Sequence, residues 1–133
     1  MEGALNIAIL QSPGDLGSPA NRLQWLTSQL ETGIAEQTDL LVLPELFLSG
    51  YNAYDTINSV AEAVDGPFAQ AIAQLSIVNE LAIVYGYAEM FSGDIYNSAQ
   101  SIDKLGCTIV SYYSRLGLKQ HFLNKAMPAV SLG

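Results

Sequence analysis

The sequence predicts an α/β fold in which helices pack on a mixed sheet, and two observations carry this prediction. Short, nearly continuous apolar runs alternate with segments of helical spacing, as expected for sheet strands that are covered by helices. Half of the 133 residues are hydrophobic and only 14% are charged, which is typical of one globular domain or of a piece of one. The predicted order of elements is β-α-β-α-α-β-β-β.

The first strand and helix are predicted from the N-terminal third of the chain. Residues 5–9 are a short apolar run, which predicts a buried strand. Ser18 and Pro19 predict a helix start, because a hydroxyl caps the helix and proline suits the first helical position. The apolar positions that follow keep helical spacing: Leu23, Leu26, Leu30 and Ile34.

Residues 39–44 form an apolar run without alternation, which predicts a central strand covered on both faces. Pro44 ends this strand, because proline has no N–H to donate to a sheet. A short amphipathic helix is predicted from Asp55 onward. Its apolar side consists of Ile57, Val60, Ala61 and Val64.

The second half of the chain predicts one more helix and three strands. Gly66 and Pro67 begin the helix, and the strands cover residues 82–87, 95–102 and 108–113. A turn at residues 103–106 joins the last two strands. The helix residues predicted to face inward are Phe68, Ile72, Leu75 and Val78.

Charge and cysteine content exclude several classes of function. The net charge is −8 with only five Lys and Arg residues, which argues against a nucleic-acid partner and against a basic membrane-surface helix. Cys107 is the single cysteine, so no internal disulfide forms and a reducing compartment fits best. No basic residue precedes the first apolar run, so we expect a cytoplasmic protein without a secretory signal.

Glu45 is the candidate catalytic residue of this sequence. It follows a predicted buried strand at its carboxyl end, where ligands bind in open α/β sheets. We expect apolar walls close to this carboxylate, which suits a general base working near neutral pH. The alternative is that Glu45 is only a polar residue where a strand leaves the core.

Four spaced segments resemble the nitrilase superfamily of carbon–nitrogen hydrolases. Residues 39–51 (DLLVLPELFLSGY) are similar to the block around the family's catalytic glutamate. A helix starting at Gly66-Pro67 and leading into residues 82–89 (AIVYGYAE) is similar to the next block. Residues 95–99 (IYNSA) and the hairpin at 103–106 follow in the family's order. The resemblance covers residues 4–113, whereas residues 114–133 depart from the family pattern.

The resemblance implies a partial αββα sandwich, with residues 1–133 as an incomplete N-terminal part of the domain. The full domain would pair with a second copy as a homo-oligomer. The implied reaction is hydrolysis of a non-peptide C–N bond in a small amide or nitrile, with amide favoured, and no cofactor or metal is implied. Glu45 would be the base, and a lysine ammonium would stabilise the tetrahedral intermediate formed by a cysteine thiolate. Tyr51 would line the substrate pocket or pack in the core.

Two positions compete for the lysine. Counting from the hairpin glycine, Gly106, places it at Ser114, whereas the local string Lys-x-His-Phe selects Lys119 after five additional residues. We favour Lys119 and keep a solvated surface lysine as the alternative. His121 has no second histidine or cysteine at a ligand spacing, so it predicts no metal site.

The cysteine nucleophile of the family is expected beyond the lysine and is absent from this chain. Cys107 precedes both lysine candidates, so we interpret it as a structural cysteine. The chain is then expected to be a fragment or truncated product of an amidase-type enzyme, or a protein whose end was replaced from about Ser114. The rival interpretation is a non-catalytic binding or assembly module with the same fold.

Overall fold

The architecture is a five-stranded mixed sheet with helices, described by a computed structural model for residues 3–50 and 56–115. This confirms the predicted α/β class and the predicted order of elements. A 3₁₀ helix, Ile34–Gln37, is an addition that the sequence pattern did not indicate. The elements are β1 (Ile7–Ile9), α1 (Pro19–Leu30), β2 (Leu40–Val42), α2 (Ile57–Val60), α3 (Pro67–Asn79), β3 (Ala82–Phe91), β4 (Asp94–Ile102) and β5 (Thr108–Arg115).

The strands lie in the sheet in chain order. β1, β2 and β3 run parallel, with Ile7 opposite Leu40 and Leu40 opposite Ala82. β4 and β5 are antiparallel additions that pair along most of their length. The carboxyl end of β2 therefore lies beside Val84, near the start of β3, and the loop after β2 reaches farther along β3 and onto β4.

The main core lies between the sheet and helices α1 and α3. Leu26 of α1, Ile72 of α3 and Ile83 of β3 are fully buried there. Tyr85 and Tyr87 continue this face of β3 and are also fully buried. None of the described helices is long and apolar enough to cross a membrane.

Both long helices begin where the sequence predicts, with local groups that satisfy their first N–H groups. The Ser18 hydroxyl accepts a hydrogen bond from Asn21 N at 3.2 Å at the start of α1. At the start of α3, the Glu62 carboxylate accepts hydrogen bonds from Phe68 N at 3.0 Å and Ala69 N at 2.8 Å. A carboxylate at a helix N-terminus also interacts favourably with the helix dipole.

Several predictions about burial are wrong. Val64 was expected on the apolar side of α2, but α2 ends at Val60 and Val64 is 39% exposed. β1 was expected to be buried, but Ile7 and Ile9 are 53% and 76% exposed, because β1 is an edge strand and nothing described covers that face. Val78 of α3 was expected to face inward and is 73% exposed. The buried stripe of α3 runs instead through Ala69, Ile72 and Ser76, at spacings of three and four residues.

Candidate functional site

Glu45 lies in an elbow, residues 44–50, that leaves the carboxyl end of β2 and crosses onto the sheet. Backbone hydrogen bonds hold this elbow to β3: Leu43 N donates to Val84 O at 2.8 Å, and Gly86 N donates to Pro44 O at 3.2 Å. Glu45 itself is exposed, although Leu43, Val84 and Ala99 line the cavity beside it. The predicted position at the end of a strand is the observed one.

Gly86 allows the elbow to lie directly on β3. A Cβ atom at position 86 would lie 2.8 Å from Glu45 Cα and 2.9 Å from Glu45 C, closer than non-bonded atoms normally approach. Leu48 N also donates to Gly86 O at 3.3 Å. Position 86 therefore needs glycine for a close backbone approach, and not for its φ angle.

The residue after Glu45 has an unusual backbone conformation. Leu46 has φ 51°, in the left-handed region that costs a non-glycine residue about 1–2 kcal/mol. Two features offset this cost. The Leu46 side chain packs in a small cluster with Ala88 and Ile95, and its carbonyl accepts a hydrogen bond from Gly50 N at 2.7 Å. Backbone strain of this kind is often found at functional sites.

Asn97 of β4 contacts Glu45 directly. Its side-chain Nδ2 donates a hydrogen bond to Glu45 Oε2. Asn97 is 9% exposed, so this amide is largely withdrawn from water. The two residues line one cavity of about 290 Å³, whose floor includes Gly86. A carboxylate held by a buried amide at the edge of a cavity can accept a proton from a bound molecule.

A second and larger cavity, about 670 Å³, lies between the elbow and the loop before α1, and Glu45 lines this cavity as well. Arg22 of α1 lines it and is 5% exposed. The guanidinium donates to Gly17 O at 3.0 Å and to Phe47 O at 3.1 Å, which ties the loop before α1 to the elbow. Burial lowers the pKa of Arg22 from its usual value. The sequence pattern did not identify Arg22 as a buried residue, because an arginine on a helix is usually exposed to solvent.

A polar network lies on the opposite face of β3 and β4. Ser98 Oγ donates to Glu89 Oε1 at 2.7 Å, and Gln100 Nε2 donates to Tyr85 Oη at 2.5 Å. Burial raises the pKa of Tyr87, and the nearby Glu89 carboxylate raises it further. The Tyr87 hydroxyl is buried and, among the described residues, has no hydrogen bond of good geometry, so we regard the Glu89 contact as electrostatic.

The other predicted site residues fall into two groups. Tyr51, Lys119 and His121 lie outside the described residues, so their roles stay predictions. Ser114, the alternative lysine position, is described and lies on β5 directly opposite Asn97. Its hydroxyl is buried and, within the described ranges, has no hydrogen-bond partner.

Cys107 is remote from Glu45. It is exposed at the hairpin between β4 and β5, beyond Ile102. Asn97 and Ile102 are five residues apart on β4, which corresponds to roughly 17 Å of extended strand. Cys107 is therefore too far from the Asn97–Glu45 contact to react at the same centre.

Asn97 and Gly86 lie beside Glu45, and the sequence pattern assigned neither of them a role. Both lie in segments that resemble the family, Asn97 in residues 95–99 and Gly86 in residues 82–89. A polar residue and a glycine inside buried strands are weak signals in isolation. They gain meaning only when the elbow is seen to pack on this part of the sheet.

Comparison with known proteins defines the class of this fold and site. A family model described as carbon–nitrogen hydrolase matches residues 6–129. The chain is 40% identical over 113 residues to a protein described as a hydrolase in the pqqF 5′ region of Pseudomonas protegens, covering 81% of this chain and 38% of that protein. It is 32% identical over 105 residues to an (R)-stereoselective amidase of a Pseudomonas species, covering 79% and 38%.

The solved structures agree on the fold. A CN-hydrolase superfamily protein from Xanthomonas campestris superposes with a TM-score of 0.73 at 27% identity, covering 84% of this chain and 41% of that one. The chain therefore belongs to the carbon–nitrogen hydrolase family. It spans a little over a third of the length of the curated relatives that it matches.

Proposed function

We propose that this chain forms part of an enzyme that hydrolyses a non-peptide C–N bond, in an amide rather than a nitrile. The observation that carries the proposal is the Glu45 carboxylate, held by Asn97 at the rim of a cavity at the carboxyl end of β2. Membership of the carbon–nitrogen hydrolase family supports the reaction class. The amidase among the relatives supports the preference for amides.

In this proposal Glu45 removes the proton from a thiol, and the thiolate attacks the carbon of the amide. The ammonium of Lys119 stabilises the negative charge on the tetrahedral intermediate. Ammonia or an amine leaves with the proton that Glu45 received. Cleavage of the C–N bond leaves the acyl group as a thioester. Glu45 then removes a proton from water, and the hydroxide attacks the thioester carbonyl. The C–S bond breaks, the thiolate takes back the proton from Glu45, and the carboxylic acid is released. Tyr51 lines the substrate pocket, and the substrate is a small amide.

The thiol is not Cys107, because the hairpin position of Cys107 is far from Glu45. We propose that the nucleophile comes from polypeptide outside the 133 residues. We further propose that the complete protein is a cytoplasmic homo-oligomer. The single exposed cysteine supports a reducing compartment.

Ammonia release from small aliphatic and aromatic amides tests this proposal, with the protein expressed from its complete reading frame. Glu45→Gln should lower kcat by about 10²–10⁴-fold, since removal of a general base has effects of this size. Lys119→Met should also lower kcat, whereas Cys107→Ser should leave the rate unchanged. A wild-type protein without hydrolysis of any amide or nitrile would contradict the enzyme proposal.

The second candidate function is a non-catalytic binding or assembly module. One observation favours the non-catalytic module. Position 114, which lies opposite Asn97 and is one of the two candidate lysine positions, holds a serine and not a cation. An electrophilic nitrile followed by intact-protein mass spectrometry separates the two functions. A covalent adduct that forms in the wild type and not in Glu45→Gln supports the enzyme. Unmodified protein that still binds the nitrile reversibly supports the module.

A further inference from the structure

The contact between Asn97 and Glu45 joins two rigid parts of the fold. Asn97 lies on β4, which is hydrogen-bonded to β3 on one side and to β5 on the other. Its cross-strand neighbours are Ala88 and Ser114, whose small side chains leave space for the amide. The paired backbone on both sides therefore fixes the point from which the Asn97 side chain extends toward Glu45.

The Glu45 side of the contact is also fixed. The elbow is bound to β3 by two backbone hydrogen bonds, donated by Gly86 N and Leu48 N, and a third is donated by Leu43 N directly before the elbow. Arg22 holds the far side of the elbow through Phe47 O. The carboxylate therefore meets the Asn97 amide without any rearrangement of the backbone.

The chemistry of an amide suits this position. An asparagine NH₂ group donates a hydrogen bond but does not accept a proton near neutral pH. It can therefore orient the carboxylate without competing for the proton that a general base must take. A hydrogen bond to a charged acceptor is also stronger than one between neutral groups.

We propose that Asn97 is a positioning residue for Glu45, which sets the orientation of the carboxylate through the bond to Oε2. This inference rests on the proposed function of Glu45 as the base. Asn97 does not touch the reacting atoms in this proposal. It acts only through Glu45.

The first test is a ¹⁵N NMR titration of the Asn97 side-chain amide in the protein from its complete reading frame, assigned by its loss in Asn97→Ser. The amide resonance should move as the pH is lowered from 8 to 3, across the range in which carboxylates take up protons. In Glu45→Gln the resonance should remain but lose this pH dependence. A titration that is the same in the wild type and in Glu45→Gln would overturn the contact.

The second test measures amide hydrolysis by the protein from its complete reading frame. Asn97→Ala should lower kcat by about 100-fold with little change in KM, since a small misplacement of a reacting group has effects of this size. The control is Asn79→Ala, which removes an amide that donates to Leu75 O inside α3 and should leave kcat unchanged. Equal kcat values for Asn97→Ala and the wild type would overturn the positioning role.

The two tests fail in distinguishable ways. The NMR titration needs no activity, so it reports the contact even if the proposed hydrolysis is not found. Wild-type protein without hydrolysis contradicts the proposed function, whereas an active wild type with an equally active Asn97→Ala contradicts only the role of Asn97.

Discussion

Gly86 of β3 packs directly against the backbone of Leu46, the residue that follows Glu45. The absence of a side chain at position 86 lets the elbow lie on the sheet, and this approach brings Glu45 within reach of Asn97 on the next strand. The location of the carboxylate therefore depends on a residue that has no functional group.

Gly86→Ala should destabilise the fold and displace Glu45. The added Cβ would lie 2.8 Å from Glu45 Cα, and a backbone atom on a strand-bound elbow cannot easily move away. We expect a loss of about 1–3 kcal/mol in the free energy of unfolding, the usual effect of overpacking. Urea unfolding measures this change.

Gly14→Ala is the matched control for this substitution, because no atom lies within 4 Å of the added Cβ and the φ angle of Gly14 is an ordinary one. It should change the free energy of unfolding by less than about 0.5 kcal/mol. An equally small effect of Gly86→Ala would mean that the elbow can lift from β3.

The sequence predicts the strands and helices because hydrophobic periodicity is a local property. Residues 39–44 and the Gly66-Pro67 helix start were identified correctly in this way. Burial depends on what covers an element, so the exposure of Ile9 was not predictable from its own run of residues. Contacts between distant residues escape local patterns entirely, and Asn97 and Glu45 are 52 positions apart.

Glu62→Ala should weaken the start of α3. The carboxylate accepts hydrogen bonds from Phe68 N and Ala69 N, and a helix that loses such a cap is destabilised by about 0.5–2 kcal/mol. Thermal unfolding followed by circular dichroism measures the loss. Glu31→Ala removes an exposed carboxylate at the end of α1 and serves as the control, with a change within about 0.5 kcal/mol. Equal stabilities of the two variants would contradict the capping role.

The buried tyrosines should make the fold sensitive to alkali. Burial raises the pKa of both Tyr85 and Tyr87 in the folded chain, so their hydroxyls stay neutral after the unfolded chain has begun to ionise near pH 10. Because the pKa is higher in the folded chain, the free energy of unfolding is unaffected below the unfolded pKa of about 10. Above that pH, the free energy of unfolding falls until the folded pKa is reached, by up to about 1.4 kcal/mol per pH unit for each tyrosine.

Tyr87→Phe tests this linkage. The substitution removes a buried hydroxyl that, among the described residues, has no hydrogen bond of good geometry. We therefore expect nearly unchanged stability at pH 7 and a shallower loss of stability between pH 10 and 11.5, measured by urea unfolding at each pH. Parallel curves for the wild type and Tyr87→Phe above pH 10 would show that the Tyr87 hydroxyl does not contribute.

Ser114→Lys should place an ammonium group within reach of Glu45. Ser114 lies opposite Asn97, and Asn97 already contacts the Glu45 carboxylate, so a longer side chain at position 114 extends along the same face of the sheet. We expect a favourable coupling of about 0.2–1 kcal/mol between the new lysine and Glu45 at pH 7, the range of partly exposed ion pairs. A double-mutant cycle of Ser114→Lys with Glu45→Gln, measured by urea unfolding, gives this coupling directly.

The control is Ser111→Lys, which lies on the same strand opposite Gln100 and points to the other face of the sheet. Its coupling with Glu45→Gln should be near zero. Equal couplings for the two lysines would mean that only the added charge matters, and that position 114 has no special access to Glu45. A favourable coupling at position 114 and none at position 111 would show that a cation on this face of the sheet interacts with Glu45.

The native Lys119 can be compared by a double-mutant cycle of Lys119→Met with Glu45→Gln.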